Sequence, residues 1–165
     1  MGNTKKIVIS IGTNLGNRKS NLEKAIKFIE QKCDIIQVSN IYQTEPWGYS
    51  SVNYFLNMGV VLKCYDSPEK LLQFLKSIEV KMGRDIHDKD IGYQDRIIDL
   101  DILLFGNQIV SQTNLIIPHP KIIHRKFSLL ILKDLFKDEI IPIFNKTPSS
   151  MLIETTDNSD VCVFR

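Results

Sequence analysis

The stretch Arg96-Ile97-Ile98-Asp99-Leu100-Asp101-Ile102-Leu103-Leu104-Phe105 decides how the rest of the chain is read. Side chains alternate across a strand, so Ile98, Leu100, Ile102 and Leu104 are expected to point together into a core. Asp99 and Asp101 then share the opposite face, close enough to hold one metal cluster. Asp is a poor strand former and neighbouring carboxylates repel each other. A local preference broken without local gain marks a functional position. Hard oxygen ligands of this kind suit Mg²⁺, particularly Mg²⁺ shared with phosphates. The competing reading is an exposed strand face bearing two solvated acids. Arg96 favours the first, because it can neutralise a phosphate held on the metal.

Outward from this strand, the chain reads as alternating strands and helices. Ile7, Ile9 and Ile11 alternate with Val8 and Ser10, a first strand ended by Gly12. Asn17 or Ser20 can cap a helix in which Leu22, Ala25, Ile26, Ile29 and Cys33 recur at helical spacing. A strand from Ile35 to Tyr42 leads into the turn-rich Thr44-Glu45-Pro46-Trp47-Gly48, and another is expected from Phe55 to Leu62. Ser67 caps a second helix with Pro68 at its first position, Leu71, Leu75, Ile78 and Met82 as its buried stripe, and Gly83 at its end. With Ile98 to Phe105 as the fourth strand, the order is β-α-β-β-α-β, an α+β, ferredoxin-like core with both helices on one face. Phe127 to Phe136 is apolar nearly all round and predicts a buried third helix covering the other face, a three-layer α/β/α arrangement. Further C-terminal elements include a late strand from Val161 to Phe164. Neither repeat nor Pro/Gly-rich linker divides the chain, so residues 1–165 are expected to form one domain.

Composition narrows the function. A net charge of +2 argues against binding long nucleic acid through bulk electrostatics, while permitting a local basic site for a small polyanion. Cys33, Cys64 and Cys162 are odd in number and lack zinc spacing, so they are expected to be small hydrophobes in a reducing compartment. No signal-like start and no run near the ~18 apolar residues of a membrane span is present, which predicts a cytoplasmic protein without membrane association. Nothing resembles a GxxxxGK[ST] loop, so any phosphate binding must rest on metals and arginines.

Other candidates surround the carboxylate pair in sequence. The polar loop from Arg84 to Gln94 can close over a nucleotide and exclude water. Glu79 stands in the last turn of the second helix, where the dipole disfavours an acid, and is either ligand-facing or solvated. Pro118-His119-Pro120 and Arg125-Lys126-Phe127 place an imidazole, a guanidinium and an aromatic ring close together. Trp47, Phe55 and Asn57 offer the stacking faces and the amide that a planar heterocycle needs. An Asn in the middle of an apolar strand is not explained by core packing.

Together these pieces resemble the 6-hydroxymethyl-7,8-dihydropterin pyrophosphokinases, in order from about Ile7 to Phe136. The most specific element is Arg96-x-x-Asp99-Leu100-Asp101-Ile102-Leu103. Support comes from Ile11-Gly12-Thr13-Asn14-Leu15-Gly16, Tyr42-Gln43-Thr44-Glu45-Pro46, Phe55-Leu56-Asn57, Glu79 with Gly83-Arg84, Pro118-His119 and Arg125-x-Phe127. The resemblance implies a monomeric enzyme that moves diphosphate from ATP to the pterin hydroxymethyl group in folate synthesis. By position it implies Asp99 and Asp101 as ligands of two Mg²⁺ ions, and Arg84, Arg96, Asp99, Asp101 and Arg125 as the catalytic set. Glu79, Arg84, Tyr93, Arg96, His119 and Arg125 would serve the nucleotide. Thr44, Trp47, Phe55, Asn57 and Phe127 would form the pterin pocket, with Phe127 and Phe55 on opposite ring faces and Asn57 at the polar edge. Gln94-Asp95 depart from the small residue or proline, often in Gly-Pro, that usually precedes the signature arginine, and an added acid there is unfavourable beside a polyphosphate unless it points away.

Two other readings compete. An Asp-x-Asp pair also occurs in metal-dependent nucleotide-sugar transferases, which need a larger nucleotide domain and leave the pterin-pocket residues without a role. A non-catalytic ferredoxin-like ligand-binding module would carry a basic, aromatic-studded sheet face, whereas this strand carries two acids.

Overall fold

Strand β1 (Ile7–Thr13) runs between β4 (Phe55–Lys63) and β5 (Asp99–Phe105), antiparallel to both, and its alternation serves two cores at once. The structure is a computed structural model, described here for residues 6–85 and 92–165. Ile7, Ile9 and Ile11 share one face with Leu56, Met58, Val60 and Leu62 of β4. That face packs on Leu22, Ala25 and Ile29 of α1 (Arg18–Ile29) and on Leu71, Leu75 and Ile78 of α2 (Pro68–Lys81). Burial of each such side chain contributes about 1.5–3 kcal/mol, so this layer dominates the folding energy. On the opposite face, Val8 and Val61 pack against Leu129, Ile131, Leu132 and Leu135 of α3 (Lys126–Phe136). Helix α3 comes close because β4 carries Gly59 at the crossing, where a Cβ would fall 2.2 Å from Ile131 Cγ2. The layers are therefore helix, sheet, helix, around a ferredoxin-like core.

The helix ends follow their sequence signals. Asn17, rather than Ser20, caps α1, its side chain accepting from Ser20 N at 3.0 Å. Ser67 accepts from Lys70 N at 3.4 Å with Pro68 opening α2, and Gly83 follows the helix at φ 97°.

Two strands differ from expectation. The stretch Ile35–Tyr42 is not one strand but two, β2 (Asp34–Val38) and β3 (Tyr42–Thr44), both paired with β4. The break lies where Ser39 turns its hydroxyl to accept from Gly59 N at 2.8 Å and Asn40 N donates to Asp134 Oδ2 of α3 at 2.9 Å. In β5, Val8 pairs with Leu104 but Ile9 with Ile102, leaving Leu103 as an extra residue. A bulge of this kind reverses the alternation beyond it. Ile98, Leu100 and Ile102 share the α1/α2 face as expected, but Leu104 turns to the α3 face and Phe105 takes its place in the first core.

The C-terminal part adds a hairpin, β6 (Val110–Gln112) with β7 (Leu115–Ile117), then α4 (Pro148–Glu154) and β8 (Val161–Val163). Strand β8 pairs with β3 and extends the main sheet to the order β5-β1-β4-β3-β8, with β2 also on β4. Of the cysteines, Cys33 is buried as expected, but Cys64 is half-buried and Cys162 lies exposed on β8. Among the described residues no helix is long and apolar enough to cross a membrane.

Candidate active site

The sheet register builds the floor of one cavity. Across three strands, Asp99 stands opposite Gly12, and Gly12 opposite Asn57; two residues along, Asp101 stands opposite Ser10, and Ser10 opposite Gly59. All lie on the face that α3 covers further along the sheet. The central strand thus contributes only small side chains beneath the carboxylates. At Gly12 a Cβ would fall 2.9 Å from Asn57 Oδ1, so the glycine leaves space for the amide.

Behind Asp99 lies an ionic cluster. Arg84 Nη1 is 2.7 Å from Asp99 Oδ1 and 2.9 Å from Glu79 Oε1, while Arg96 Nη1 is 2.9 Å from Asp99 Oδ2. Glu79 Oε1 also accepts from Lys76 Nζ at 2.8 Å and from Leu100 N at 2.7 Å. Glu79 is 2% exposed, so it is neither solvated nor on the cavity wall: it anchors Arg84 and the strand that carries both aspartates. Burial pushes the Asp99 carboxyl pKa up, but Arg96, Lys76 and Arg84 pull it below the ordinary value. Burial, then the Asp99 charge, push Asp101 upward instead.

Asp101 faces His119, whose Nε2 lies 4.0 Å from Asp101 Oδ2 and whose Nδ1 accepts from Lys121 N at 3.2 Å. His119 is held by its own N–H, which donates to Leu103 O at 3.0 Å. Arg125, at the entry to α3, lines the cavity with its Nε buried and without a hydrogen-bond partner among the described residues. Its guanidinium carbon lies 4.7 Å from the Trp47 ring centroid and 5.9 Å from that of Phe127. The missing N-cap at this helix is supplied by the tail, since Asp157 Oδ2 accepts from Lys126 N at 2.7 Å.

The remaining wall is aromatic and amide. Phe55 and Phe127 line it, with Asn57 donating to Thr44 Oγ1 at 3.0 Å. Trp47 and Tyr93 meet edge to face at 6.0 Å, and Lys121 Nζ lies 4.2 Å from the Tyr93 centroid. The fold therefore brings Thr44, Trp47, Phe55, Asn57, Tyr93, Arg96, Asp99, Asp101, Arg125 and Phe127 onto one cavity. Arg84, Glu79 and His119 stand behind or beside the carboxylates rather than on its lining. Most of the loop expected to close over a nucleotide, residues 86–91, lies outside the described residues. Asp95 does point away from the carboxylate pair, toward Asn14, Tyr49, Ser51 and Asn53.

Sequence reasoning missed Lys76, Lys121, Tyr49 and Asp157. Lys76 had a usable signal, one helical turn before Glu79; the others carry none that a single chain displays.

A carboxylate pair, two guanidiniums and two phenyl rings on one cavity make a set of groups suited to a metal-bound polyphosphate beside a planar ring. Among the described residues no three His, Cys, Asp or Glu side chains form a ready metal cage. An Asp99 carboxylate held below its ordinary value by Arg96, Lys76 and Arg84, a neighbouring Asp101 raised by burial and by the Asp99 charge, and the Arg125 Nε, which donates to no described residue, nevertheless fit cations shared with phosphate.

Comparison with known proteins gives the site its family. The family described as 7,8-dihydro-6-hydroxymethylpterin-pyrophosphokinase (HPPK) matches residues 8–137, and the chain belongs to it. It is 36% identical over 129 residues to the 2-amino-4-hydroxy-6-hydroxymethyldihydropteridine pyrophosphokinase of Bacillus subtilis (strain 168), covering 77% of this chain and 75% of that one. To the enzyme of the same name from Aquifex aeolicus (strain VF5) it is 30% identical over 159 residues, 96% and 98% of the two chains. A crystal structure of wild-type Plasmodium falciparum HPPK-DHPS with pteroate shares the fold at TM-score 0.73 and 19% identity, covering 93% of this chain but only 45% of that one. The chain thus spans under half the length of that longer protein.

Proposed function

We propose that this single-domain enzyme uses the cavity between β5 and α3 for the reaction of its family, with Asp99 and Asp101 as the metal-binding residues. The reaction transfers diphosphate from ATP to the hydroxymethyl group of 6-hydroxymethyl-7,8-dihydropterin in folate biosynthesis. The hydroxymethyl oxygen attacks the β-phosphorus, the bond from that phosphorus to the α-phosphate oxygen breaks, AMP departs, and the hydroxyl proton is lost. The observation that carries the assignment is the convergence of two carboxylates, two cavity-lining arginines and two phenyl rings on one cavity.

Each side chain has work suited to its surroundings. Phe55 and Phe127 hold the pterin between them, Asn57 and the Thr44 strand read its polar edge, and Trp47 closes the wall. Arg96 and Arg125 spread the negative charge that builds on the transferring group, which preorganised donors do at little reorganisation energy. Arg84 and Glu79 keep Asp99 ionised and fixed, His119 flanks Asp101, and Tyr93 lies over the nucleotide side. Asp99 and Asp101 would hold two Mg²⁺ ions, whose charge would neutralise and orient the polyphosphate oxygens. The enzyme works as a cytoplasmic monomer.

The test is to mix the protein with ATP, Mg²⁺ and 6-hydroxymethyl-7,8-dihydropterin and identify the nucleotide product. AMP that depends on pterin and is lost in Asp99→Ala and Asp101→Ala supports the assignment. Undiminished turnover in either variant sinks the metal-ligand roles. A sedimentation measurement showing dimers at working concentration would overturn the monomer.

A further inference from the structure

Asp95 has no part in the chemistry above, yet its carboxylate is fully engaged. Its Oδ1 accepts from Asn14 Nδ2 at 2.7 Å and Tyr49 Oη at 2.9 Å, and its Oδ2 from Ser51 Oγ at 2.9 Å and Asn53 Nδ2 at 2.6 Å. An ionised carboxylate only accepts, with about four lone-pair sites, so these donors fill it. The donors come from the turn after β1 and from the loop joining β3 to β4. That loop carries Trp47 and runs directly into Phe55.

The neighbouring residue faces the other half of the cavity. Arg96 N donates to Asn14 Oδ1 at 2.7 Å, Asn14 N donates to Arg96 O at 3.1 Å, and the Arg96 guanidinium reaches Asp99 Oδ2 at 2.9 Å. Asn14 Nδ2 also reaches Asn53 O and Tyr49 Oη, each at 3.2 Å. Asp95 and Asn14 thus form a polar joint between the loop behind the aromatic wall and the backbone that aims Arg96.

We infer that Asp95 is a positioning residue, which sets the Trp47–Phe55 wall and the Arg96 guanidinium together. The inference rests on the site assignment proposed above. A residue of this kind touches no substrate, so its loss moves both halves of the cavity at once. A merely stabilising contact would lower the melting temperature and leave the folded enzyme's constants alone.

The test compares the full-length protein with Asp95→Ala, Asp95→Asn and Tyr49→Phe. Pterin affinity is read by fluorescence titration without nucleotide, kcat by AMP release at saturating substrates, and folding by thermal denaturation. Asp95→Ala is expected to weaken pterin binding and lower kcat, each by about tenfold, the scale of losing hydrogen bonds to a charged group. Asp95→Asn should fall between, because its amide presents a donor where Ser51 and Asn53 already donate. Tyr49→Phe should shift both constants by about two- to threefold in the same direction. A change in kcat with pterin affinity unchanged, the reverse, or a lowered melting temperature alone would overturn the joint. Should Asp95→Ala fail to fold, the Asn and Phe variants decide. Asp99→Ala leaves the Asp95 hydrogen bonds in place, so full turnover by that variant would reject the site assignment separately from the joint.

Discussion

Arg84 and Arg125 flank the same pair of aspartates and are held in opposite ways. Arg84 is closed in, with Glu79 at 2.9 Å and Asp99 at 2.7 Å, and its anchor Glu79 is itself tied to Lys76 and to the strand backbone. Arg125 is half-buried beside Trp47, and its buried Nε has no hydrogen-bond partner among the described residues. A buried donor left without an acceptor costs about 1–3 kcal/mol until something supplies one. The Asp99 corner is therefore assembled by the protein alone, whereas the Arg125 corner leaves a donor that, under the proposed assignment, an anion would satisfy.

The contrast can be broken most severely at the carboxylates. Asp99→Asn or Asp101→Asn should lower kcat by about a thousandfold, the loss expected when charge stabilisation at a transferring group is removed, and product-release assays would measure it. Removing the hidden support comes next: Glu79→Ala leaves Lys76 without its carboxylate and Arg84 with Asp99 alone, and should destabilise the fold by about 3 kcal/mol in urea titrations. Arg125→Met sharpens the comparison, since it removes a buried Nε that donates to no described residue. Its kcat should fall by about thirtyfold while its melting temperature holds or rises. The same change at a closed corner, Arg84→Met, should lower both.

The smallest effect is one of pH. Burial raises the Asp95 carboxyl, but hydrogen bonds from Asn53, Ser51, Asn14 and Tyr49 outweigh it and hold its pKa at about 2, below the ordinary 3.8. The native state then binds its proton later than the unfolded chain does. The stability Asp95 contributes is complete above about pH 4 and lost as pH falls toward 2, so Asp95→Asn should flatten the acid limb of the stability curve. Glu79, raised by burial, has the opposite sign: its contribution fades as pH rises through its own titration.

Much of this site is legible in the sequence because the residues concerned violate local rules. Asp99 and Asp101 are acids in a strand, and Asn57 is an amide among apolar neighbours; each stands on the face that alternation assigns to it. What escapes is what depends on distant partners. Leu103 gives no sign of being a bulge, since Ile102 to Phe105 is apolar throughout and hides the change of phase. Glu79 breaks a helix-end preference, but its burial follows from Lys76, Arg84 and Leu100 N converging on it, a three-dimensional fact. Asp95 reads as an intrusive acid until its four donors are seen, and Asp157 caps a helix that begins 31 residues earlier.

The tail carries a consequence for how the enzyme is made. Strand β3, which holds Thr44, is three residues long, and its outer edge is paired by β8 alone, with Phe164 N donating to Ile41 O at 2.8 Å. Asp157, four residues before β8, steadies the helix that presents Arg125 and Phe127. These segments emerge from the ribosome after every other wall of the cavity. During synthesis the ferredoxin-like core can close while both sides of its pocket still lack their final strand and cap, so the pocket is completed only once residues 157–164 have emerged, not with the core.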